Sequence, residues 1–581
     1  MFLTVILTSL SLIAAPYNRD FQSLDGQWSA IIDQYETGTG KGIYIDKKPE
    51  GKTDFIEFSW DGAMKLDVPG DWNHQRPELW WYEGTIWYSR HFNTEKEPGR
   101  RKLLYFAGVS CRCDVYLNGQ KVATHEGAFT PFQADVTDII MDGDNFIAVR
   151  VNNNRLASAI PAISFDWWNY GGITREVMLI TLPETYIDTW FIRLSGNSSK
   201  TVEAEVQLSS NEAGRKITIE IPELEIRKSA LTGADGKASA EFKAPGLKLW
   251  SPGQPVLYSV RLSSGEDSVE DEIGFRQIAT DGTKVLLNGN PVFLRCISFH
   301  EEIAKESRRA WSEKDAEELT KAAAALGCNM IRLAHYPQNE HIVRMAERMG
   351  LMIWEEIPLW QGIDFSSGET YGKADRYLTE MIARDRNRCA ICFWSISNET
   401  RPGKDRDAFL TRLLARGKEL DSSRLFTSAF DVAYYIKEAG EFQMKDSFAS
   451  LLDVIGINKY MGWYAPWPDD PENLRWNVFP DKPLIISEFG CEAKYGRYGN
   501  ADTASSWSED YQAELFKKNL AMFRNIDNLA GISPWILYDF RSPYRQHPAN
   551  QDFFNRKGLL SENGERKKAW YIIHDYYNEK K

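Results

Sequence analysis

The fold is decided by residues 330–356, which run Met330-Ile-Arg-Leu-Ala-His335, then Asn339 to Met349, then Leu351-Met-Ile-Trp-Glu-Glu356. The first and last pieces are apolar runs of strand length, bounded by turn residues. The middle piece is predicted to form a helix that Gly350 ends. Two apolar strands joined by a helix indicate a parallel βα unit.

This pattern continues from Asn288-Gly289 to the end of the chain. Ser312-Glu-Lys-Asp315 resembles a capping box, which predicts a further helix running to Leu326. Eight strands in roughly 300 residues match the usual size of a (β/α)₈ TIM barrel, placed here at residues 277–581. The predicted strands are Val292–Ser298, Met330–His335, Leu351–Glu356, Ile391–Ser397, Phe426–Ala429, Val454–Asn458, Leu484–Glu488 and Ile532–Tyr538.

The residues before the barrel have an all-β pattern. Residues 16–182 show short alternating runs between turns, with Asn118-Gly119 as a strong hairpin signal, and predict a jelly-roll β-sandwich. Residues 183–276 repeat the pattern on a smaller scale, which predicts a seven-strand immunoglobulin-like sandwich. The fold class is therefore multidomain, with two β-sandwiches followed by an α/β barrel.

Composition excludes several classes of function. A formal net charge of -13 disfavours nucleic acid as a partner, and any anion must be recognised by local cations. The seven Cys are scattered through apolar runs and lack metal spacing, so most are predicted to be buried thiols, and neither a metal nor a cofactor is implied. Residues 1–15 resemble a secretory signal peptide without a basic start, which predicts an exported protein, periplasmic or secreted. No other segment is predicted to cross a membrane.

Polar residues at the ends of four predicted strands carry the chemistry. They are His335, Glu355-Glu356, Glu399 and Glu488. In a TIM barrel these ends form the catalytic face, and strands four and seven lie across its mouth from each other. Glycosidic bonds are cleaved by two carboxylates flanking the anomeric carbon, and the placement of Glu399 and Glu488 suits such a shared site. An isolated strand-end Glu would more simply be a solvated charge.

The chain resembles the family 2 glycoside hydrolases, which include β-galactosidases, β-mannosidases and β-glucuronidases. The resemblance covers nearly the whole chain in order and rests on Val68–Asn73, Asp166–Arg175, Gly274–Arg276, Ile331–Pro337, Ile353–Glu356, Arg384–Glu399 and Ile486–Gly490. It implies that Glu399 is the acid/base and Glu488 the nucleophile of a retaining mechanism, with carboxyl oxygens about 5–5.5 Å apart.

The resemblance also implies the residues that bind substrate. Asn398 matches the Asn that binds the sugar 2-hydroxyl, and Tyr460, in Asn458-Lys-Tyr460, matches the Tyr that steadies the nucleophile. The remaining substrate-binding predictions are Asp166, His300, His335, Asn458, Tyr464, Trp535 on strand eight, Asn555 and Lys557. Arg332 is expected to be a buried partner of the carboxylates, and Glu355 and Glu356 are given no chemical role.

The sugar is indicated by Phe554-Asn-Arg-Lys-Gly-Leu559, which resembles the Asn-x-Lys element that grips the C6 carboxylate in β-glucuronidases. A Lys ammonium pairs with a carboxylate and an Asn amide adds a neutral donor. The expected function is therefore an exo-acting β-glucuronidase with a uronic-acid-terminated glycoside or oligosaccharide as substrate. The basic residue usual shortly before the Asn has no clear counterpart, and Arg541 or Arg545 is the candidate substitute. The segment from Ile357 to Tyr377 lacks a long insertion, which favours an open site.

The alternatives are a β-galactosidase or β-galacturonidase of the same family, or a carbohydrate-binding protein that has lost catalysis. A homo-oligomer is possible, because related enzymes commonly self-associate.

Overall fold

The computed structural model describes residues 19–55, 58–196 and 198–581. It divides into two compact units. One holds the residues up to Asn154 together with Gly171–Leu247 and Tyr258–Ile273, and the other holds Arg155–Tyr170, Lys248–Leu257 and Gly274–Lys581. The predicted signal peptide lies outside the described residues, and the export that follows from it stays a prediction. The domain boundaries and the self-association also stay predictions.

The first unit contains the β-sandwich predicted for its N-terminal part. Alternating apolar residues of two antiparallel sheets bury a common core that includes Trp28, Trp72 and Phe106. In spatial order, one sheet holds Phe21–Ser23, Val177–Pro183, Arg100–Phe106 and Phe132–Asp135, and the other holds Met64–Val68, Gly26–Ile32, Thr85–Thr94, Gly143–Asn152, Arg112–Leu117 and Gln120–Glu126. Smaller elements are the pair Val109–Ser110 and Gly172–Ile173 and the helices Gly38–Lys41 and Trp72–Gln75.

The second sandwich has the seven predicted strands within the described part of residues 187–273. Ile187–Leu194, Thr201–Leu208 and Lys237–Lys243 form one sheet. Ile226–Leu231, Lys216–Ile221, Tyr258–Ser264 and Asp267–Ile273 form the other. Burial alternates along Thr201–Leu208 and Asp267–Ile273, as expected for strands with one face in a core.

The second unit, whose residues are all described, is built around a closed barrel of eight parallel strands. An α-helix follows six of the eight strands, which confirms the predicted α/β class. Barrel strands one to eight are Leu294–Phe299, Met330–Leu333, Met352–Glu356, Ile391–Asn398, Leu425–Phe430, Ile455–Asn458, Leu484–Glu488 and Leu529–Ile532. The helices are Glu313–Ala325, Glu340–Met349, Gly368–Asp385, Lys404–Leu420, Glu509–Phe523 and Lys568–Glu579.

Local signals place the first two barrel helices as predicted. Ser312 accepts from the Asp315 backbone N–H in a capping box at the start of Glu313–Ala325. Glu340–Met349 ends at Gly350, whose φ of 75° lies in the left-handed region that glycine adopts without a Cβ penalty.

The predicted eighth strand is wrong. The strand is Leu529–Ile532, not Ile532–Tyr538. Gly531 pairs with Leu294 on strand one, where a Cβ would lie 2.5 Å from the Leu294 Cβ, so the close approach requires glycine. Pro534 then offers no N–H to a ladder and ends the strand. Trp535 therefore lies in the segment after the strand, not on it.

Two short elements bring further loops to the mouth of the barrel. Phe540–Arg541 pairs with Phe554–Asn555 and so fixes the segment that carries Asn555 and Lys557. A three-stranded sheet joins Tyr434–Ile436 and Glu441–Gln443, which follow strand five, to Arg475–Asn477, which follows strand six. Other pairings in this unit are Ile278–Asp281 with Lys284–Leu287 and Asn290–Pro291, and Glu302–Ile303 with Arg308–Arg309.

Candidate active site

Glu399 and Glu488 line one cavity of about 680 Å³ in the barrel unit. Glu488 is the last residue of strand seven and Glu399 follows strand four directly. Ten of the twelve residues predicted for the site line this cavity: Asp166, His335, Glu399, Asn458, Tyr460, Tyr464, Glu488, Trp535, Asn555 and Lys557. Asn398 and His300 are buried and do not line it.

Glu399 is held by two neutral amides. Asn458 Nδ2 donates to Oε1 at 2.8 Å and Gln361 Nε2 donates to Oε2 at 2.9 Å. Burial, reinforced by the charge of Glu488, raises the pKa of Glu399 to about 7. A carboxyl group in this setting can hold a proton at neutral pH and still lose it during a reaction cycle.

Glu488 has different partners. Arg332 Nη1 donates to Oε1 at 2.8 Å, and the Tyr460 hydroxyl donates to Oε2 at 2.7 Å. Burial raises the pKa of Glu488 as well, but the Arg332 guanidinium and the Tyr460 hydroxyl oppose that rise. The two carboxyl groups therefore differ as a proton donor and a nucleophile must: one has only neutral donors, and the other faces a fixed cation.

Arg332 connects Glu488 to two other barrel strands. Its guanidinium is fully buried and also donates to Glu356 and to Asn398 Oδ1, at 3.0 and 2.8 Å. Burial would raise the pKa of Glu356, but Arg332 and His335 outweigh it and lower the pKa to about 2. Glu356 was given no chemical role, yet it keeps Arg332 and His335 in place.

One wall of the cavity is aromatic. The His335 ring stacks on Trp535, with centroids 4.8 Å apart and planes 14° from parallel, and its Nδ1 lies 2.7 Å from Glu356 Oε1. His300 packs behind this wall against Phe540, and its Nδ1 lies 3.2 Å from the Tyr336 hydroxyl. Burial lowers the pKa of both His residues. His335 and Trp535 therefore form an aromatic face of the cavity, and His300 packs against both rings from behind.

The side-chain amide of Asn398 forms only some of its possible hydrogen bonds. Its Oδ1 accepts from Arg332 at 2.8 Å and from Asn458 at 3.2 Å. Its buried Nδ2 has no hydrogen-bond partner among the described residues. A buried amide donor without a partner is costly, which is consistent with a position that a substrate hydroxyl completes.

Cations gather at the other end of the cavity. Lys557 Nζ donates to the Tyr464 hydroxyl at 2.8 Å and lies 3.5 Å from Glu492 Oε1. Burial alone would raise the pKa of Tyr464, but Lys557 and Arg545 outweigh it and lower that pKa. The Arg545 guanidinium lies 3.3 Å from Glu492 and pairs with Asp166. This end of the cavity can hold an anionic group.

Asp166 and Asn555 are bound to each other and to this cationic end. Asn555 Nδ2 donates to Asp166 Oδ2 at 3.3 Å, and Ser542 also donates to the Asp166 carboxylate. Asn555 is fully buried. Asp166 is thus ion-paired in addition to lining the cavity, and it orients Arg545 and Asn555.

Sequence reasoning missed several lining or supporting residues. Gln361 bears on Glu399, and Glu492 bears on Lys557 and Arg545. Glu492 could have been found as a further carboxylate in the loop after strand seven. No sequence feature near Gln361 indicates that its side chain reaches the site. Arg545 was one of the two candidates for the missing basic residue, and it is the one that lines the cavity.

The described residues hold no group of three or more His, Cys, Asp or Glu side chains that could bind a metal ion. None of their helices is both long and apolar enough to cross a membrane. Of the seven Cys, all free thiols, six are buried and Cys111 is partly exposed.

Comparisons with known proteins agree with this geometry. The family description "Glycosyl hydrolases family 2, TIM barrel domain" matches residues 278–580. The chain belongs to glycosyl hydrolases family 2. Its other two descriptions match as well, the sugar binding domain at residues 21–183 and "Glycosyl hydrolases family 2" at residues 185–276. The family and the three-part architecture are as predicted from the motifs, and the chain is a glycoside hydrolase by family.

Individual relatives carry related names. A putative β-glucuronidase of Formosa agariphila is 28% identical over 85% of this chain, and the match spans 64% of that protein. The β-glucuronidase of Rattus norvegicus is 26% identical over 96% of this chain and 91% of its own. Among solved structures, a family 2 β-galacturonidase from Eisenbergiella tayi has a TM-score of 0.80 at 24% identity, covering 97% of this chain and 96% of its own. That likeness shows the fold alone.

Proposed function

We propose that this glycoside hydrolase is a retaining, exo-acting β-glucuronidase that removes terminal β-D-glucuronic acid residues. The observation that carries the proposal is the Lys557 ammonium in the same cavity as Glu399 and Glu488. A protein with a net charge of -13 gives no long-range attraction to an acidic sugar, so a cation within the site has to supply it. The names of the two relatives support the same sugar.

In the first step, Glu488 acts as the nucleophile. One of its oxygens attacks C1 of the sugar, the bond from C1 to the glycosidic oxygen breaks, and Glu399 gives its proton to that oxygen. The aglycone leaves as an alcohol, and the sugar stays joined to Glu488 as an ester. Arg332 and Tyr460 hold Glu488 in position for the attack.

In the second step, Glu399 acts as the base. It takes a proton from water, the water oxygen attacks C1, and the bond between C1 and Glu488 breaks. Glucuronic acid leaves with its original anomeric configuration, and both carboxyl groups return to their starting states. Asn398 Nδ2, which lacks a partner among the described residues, is the proposed donor to the sugar 2-hydroxyl.

The cationic end of the cavity would bind the C6 carboxylate. Lys557 contributes the charge and donates to the hydroxyl of Tyr464, and Asn555 lines the same cavity. A charge-assisted pair inside a mostly buried pocket discriminates strongly against a neutral C6 hydroxymethyl group.

A β-galacturonidase is the second candidate. It would need the same C6 contacts and differs from a glucuronidase only at the 4-hydroxyl, and one such enzyme shares the fold. The test is a panel of 4-nitrophenyl β-D-glucuronide, β-D-galacturonide and β-D-galactoside at matched concentrations. We expect kcat/KM for the glucuronide to exceed that for the galactoside by at least about 100-fold. A faster rate on the galacturonide would replace the proposal, and no turnover of any of the three would indicate a binding protein.

The pH dependence follows from the two carboxyl groups. Glu399 must be protonated for the first step, so kcat/KM is expected to fall as the pH rises past the Glu399 pKa of about 7. Glu488 must be ionised, and its pKa is raised, so the acid limb should lie above the ordinary glutamate value of 4.5. The measurement is a pH profile of kcat/KM for the aryl glucuronide. In Glu399→Gln the alkaline limb should disappear, and its persistence would assign it to another group.

A further inference from the structure

The cavity extends beyond Glu399 to Trp360, Asp431 and Lys459, which have no part in the hydrolysis steps or in the proposed binding of the C6 carboxylate. It also includes Gln361, whose only role so far is its hydrogen bond to Glu399. We name Trp360, Gln361, Asp431 and Lys459 the leaving-group side of the cavity. They lie in the loops after barrel strands three, five and six. Glu399 protonates the departing oxygen, so the part of the substrate attached to that oxygen sits on this side of C1.

Gln361 is fixed in place by its backbone. Its N–H donates to the Asn398 carbonyl at 3.0 Å, and its φ of 49° is an uncommon conformation for a residue other than glycine. The exposed side chain donates to Glu399 Oε2 at 2.9 Å. Its Oε1 accepts no hydrogen bond from any residue in the described ranges, so it stays available as an acceptor beside the acid/base.

Asp431 offers two more acceptors. Its carboxylate is exposed in the cavity and forms neither a hydrogen bond nor an ion pair with a residue that the structure describes. The charge of Asp431 is near enough to contribute to the raised pKa of Glu399, after burial and Glu488. A carboxylate accepts up to about four hydrogen bonds, which suits a pair of neighbouring hydroxyls.

Lys459 supplies donors to the same space. An ammonium has three N–H groups, and in the described structure one of them donates to the Ala433 carbonyl at 2.6 Å. Its Nζ lies 5.0 Å from the centroid of the Phe442 ring, and burial lowers its pKa while Asp431 opposes that shift. Two donors are thus left on a partly desolvated cation.

We propose that the leaving-group side is a subsite for a second sugar ring, so that the substrate is an oligosaccharide ending in glucuronic acid. This inference rests on the proposed function. A sugar ring presents donors and acceptors around its edge and C–H groups on its face, which matches Gln361, Asp431 and Lys459 beside the Trp360 indole. A flat aromatic aglycone would desolvate these polar groups without pairing them, at a cost in binding.

The experiment compares substrates that share the sugar and differ in the leaving group. Wild type and Asp431→Asn are assayed on 4-nitrophenyl β-D-glucuronide and on disaccharides of β-D-glucuronic acid linked 1→3 and 1→4 to a neutral hexose. We expect Asp431→Asn to lower kcat/KM for at least one disaccharide about tenfold more than for the aryl glucuronide. Glu438→Gln is the control. Glu438 is exposed, lies outside the cavity and belongs to the same segment between strands five and six as Asp431, so its loss should leave the ratio of the disaccharide rate to the aryl glucuronide rate unchanged.

The outcomes separate the two proposals. Equal losses on both substrate types, with a shifted alkaline limb of the pH profile, would mean that Asp431 acts only by raising the pKa of Glu399. The subsite would then be rejected, while the β-glucuronidase proposal would stand. A wild type that hydrolyses none of the three glucuronides would overturn the proposed function and the subsite together. A larger loss on the disaccharide supports the subsite, because the aryl substrate lacks the hydroxyls that Asp431 would bind.

Discussion

Replacing Glu488 by Gln is expected to lower kcat/KM by at least about 10⁴-fold, because the substitution removes the nucleophile but keeps its volume. No other carboxylate among the described residues has the same two donors, since Arg332 and Tyr460 both point at Glu488. The amide cannot form the ester to C1, so neither step of the double displacement can proceed. The loss should be similar for good and poor leaving groups.

Glu399→Gln is the matched comparison. Without its acid, the enzyme should lose far more activity on a poor leaving group than on an aryl glucuronide, because an acidic phenol departs without protonation. Arg332 keeps Glu356 as an ion-pair partner in both variants, so both should unfold at temperatures near that of wild type. A 2-fluoro glucuronide with a good leaving group should add its sugar mass to wild type but not to Glu488→Gln. A labelled Glu488→Gln protein would assign the nucleophile elsewhere.

Replacing Lys557 by Met is the second large effect that we expect. Removing one partner of a buried charge pair costs about 2–5 kcal/mol, so kcat/KM for the aryl glucuronide should fall by about 30-fold or more. Lys557 is 1% exposed, and Met keeps most of its length and packing. The same change should cost an aryl galactoside only a few-fold, since a neutral sugar offers no carboxylate to the ammonium.

The ratio of the two losses is the decisive measurement, because a general disturbance of the fold would affect both substrates alike. Glu492 keeps Arg545 and Gln551 as partners in the variant, which limits that disturbance. Lys568→Met is the control, since Lys568 is partly exposed, pairs with Asp510 and does not line the cavity. Equal losses on glucuronide and galactoside would rule out Lys557 as the binder of the C6 carboxylate.

Elements that depend on local chemistry could be predicted. Ser312 with Asp315 marks a helix start, and Gly350 marks a helix end, because capping and the left-handed conformation involve only neighbours in the chain. The eighth strand could not be placed this way. Its last residues are set by the pairing of Leu294 with Gly531, and the apolar run after Pro534 continues into a segment that is buried without being a strand.

In the candidate site too, some residues could be predicted from the sequence and others depend on contacts between distant parts of the chain. Strand-end position and the match to the family motifs together singled out Glu399 and Glu488, because a barrel presents all its strand ends on one face and the motifs distinguish these two among them. It was not enough to weigh Glu356, which looks like any buried strand-end acid until Arg332 and His335 are seen beside it. Gln361 was missed for a related reason, since its amide reaches Glu399 only through a loop clamped to Asn398.

By itself, the sequence determined the order of the two β-sandwiches and the barrel. It also determined the two carboxylates at the C-terminal ends of strands four and seven, and the segment with Lys557 after the barrel's last strand. Only the tertiary structure decided which charges meet. Arg332 and Glu488 are 156 residues apart and form one ion pair, and the pKa of Glu399 is raised by burial and by the charge of Glu488, which lies on another strand. Ion pairing and desolvation depend on distances through space, and these are set when the chain packs, not by its order of residues.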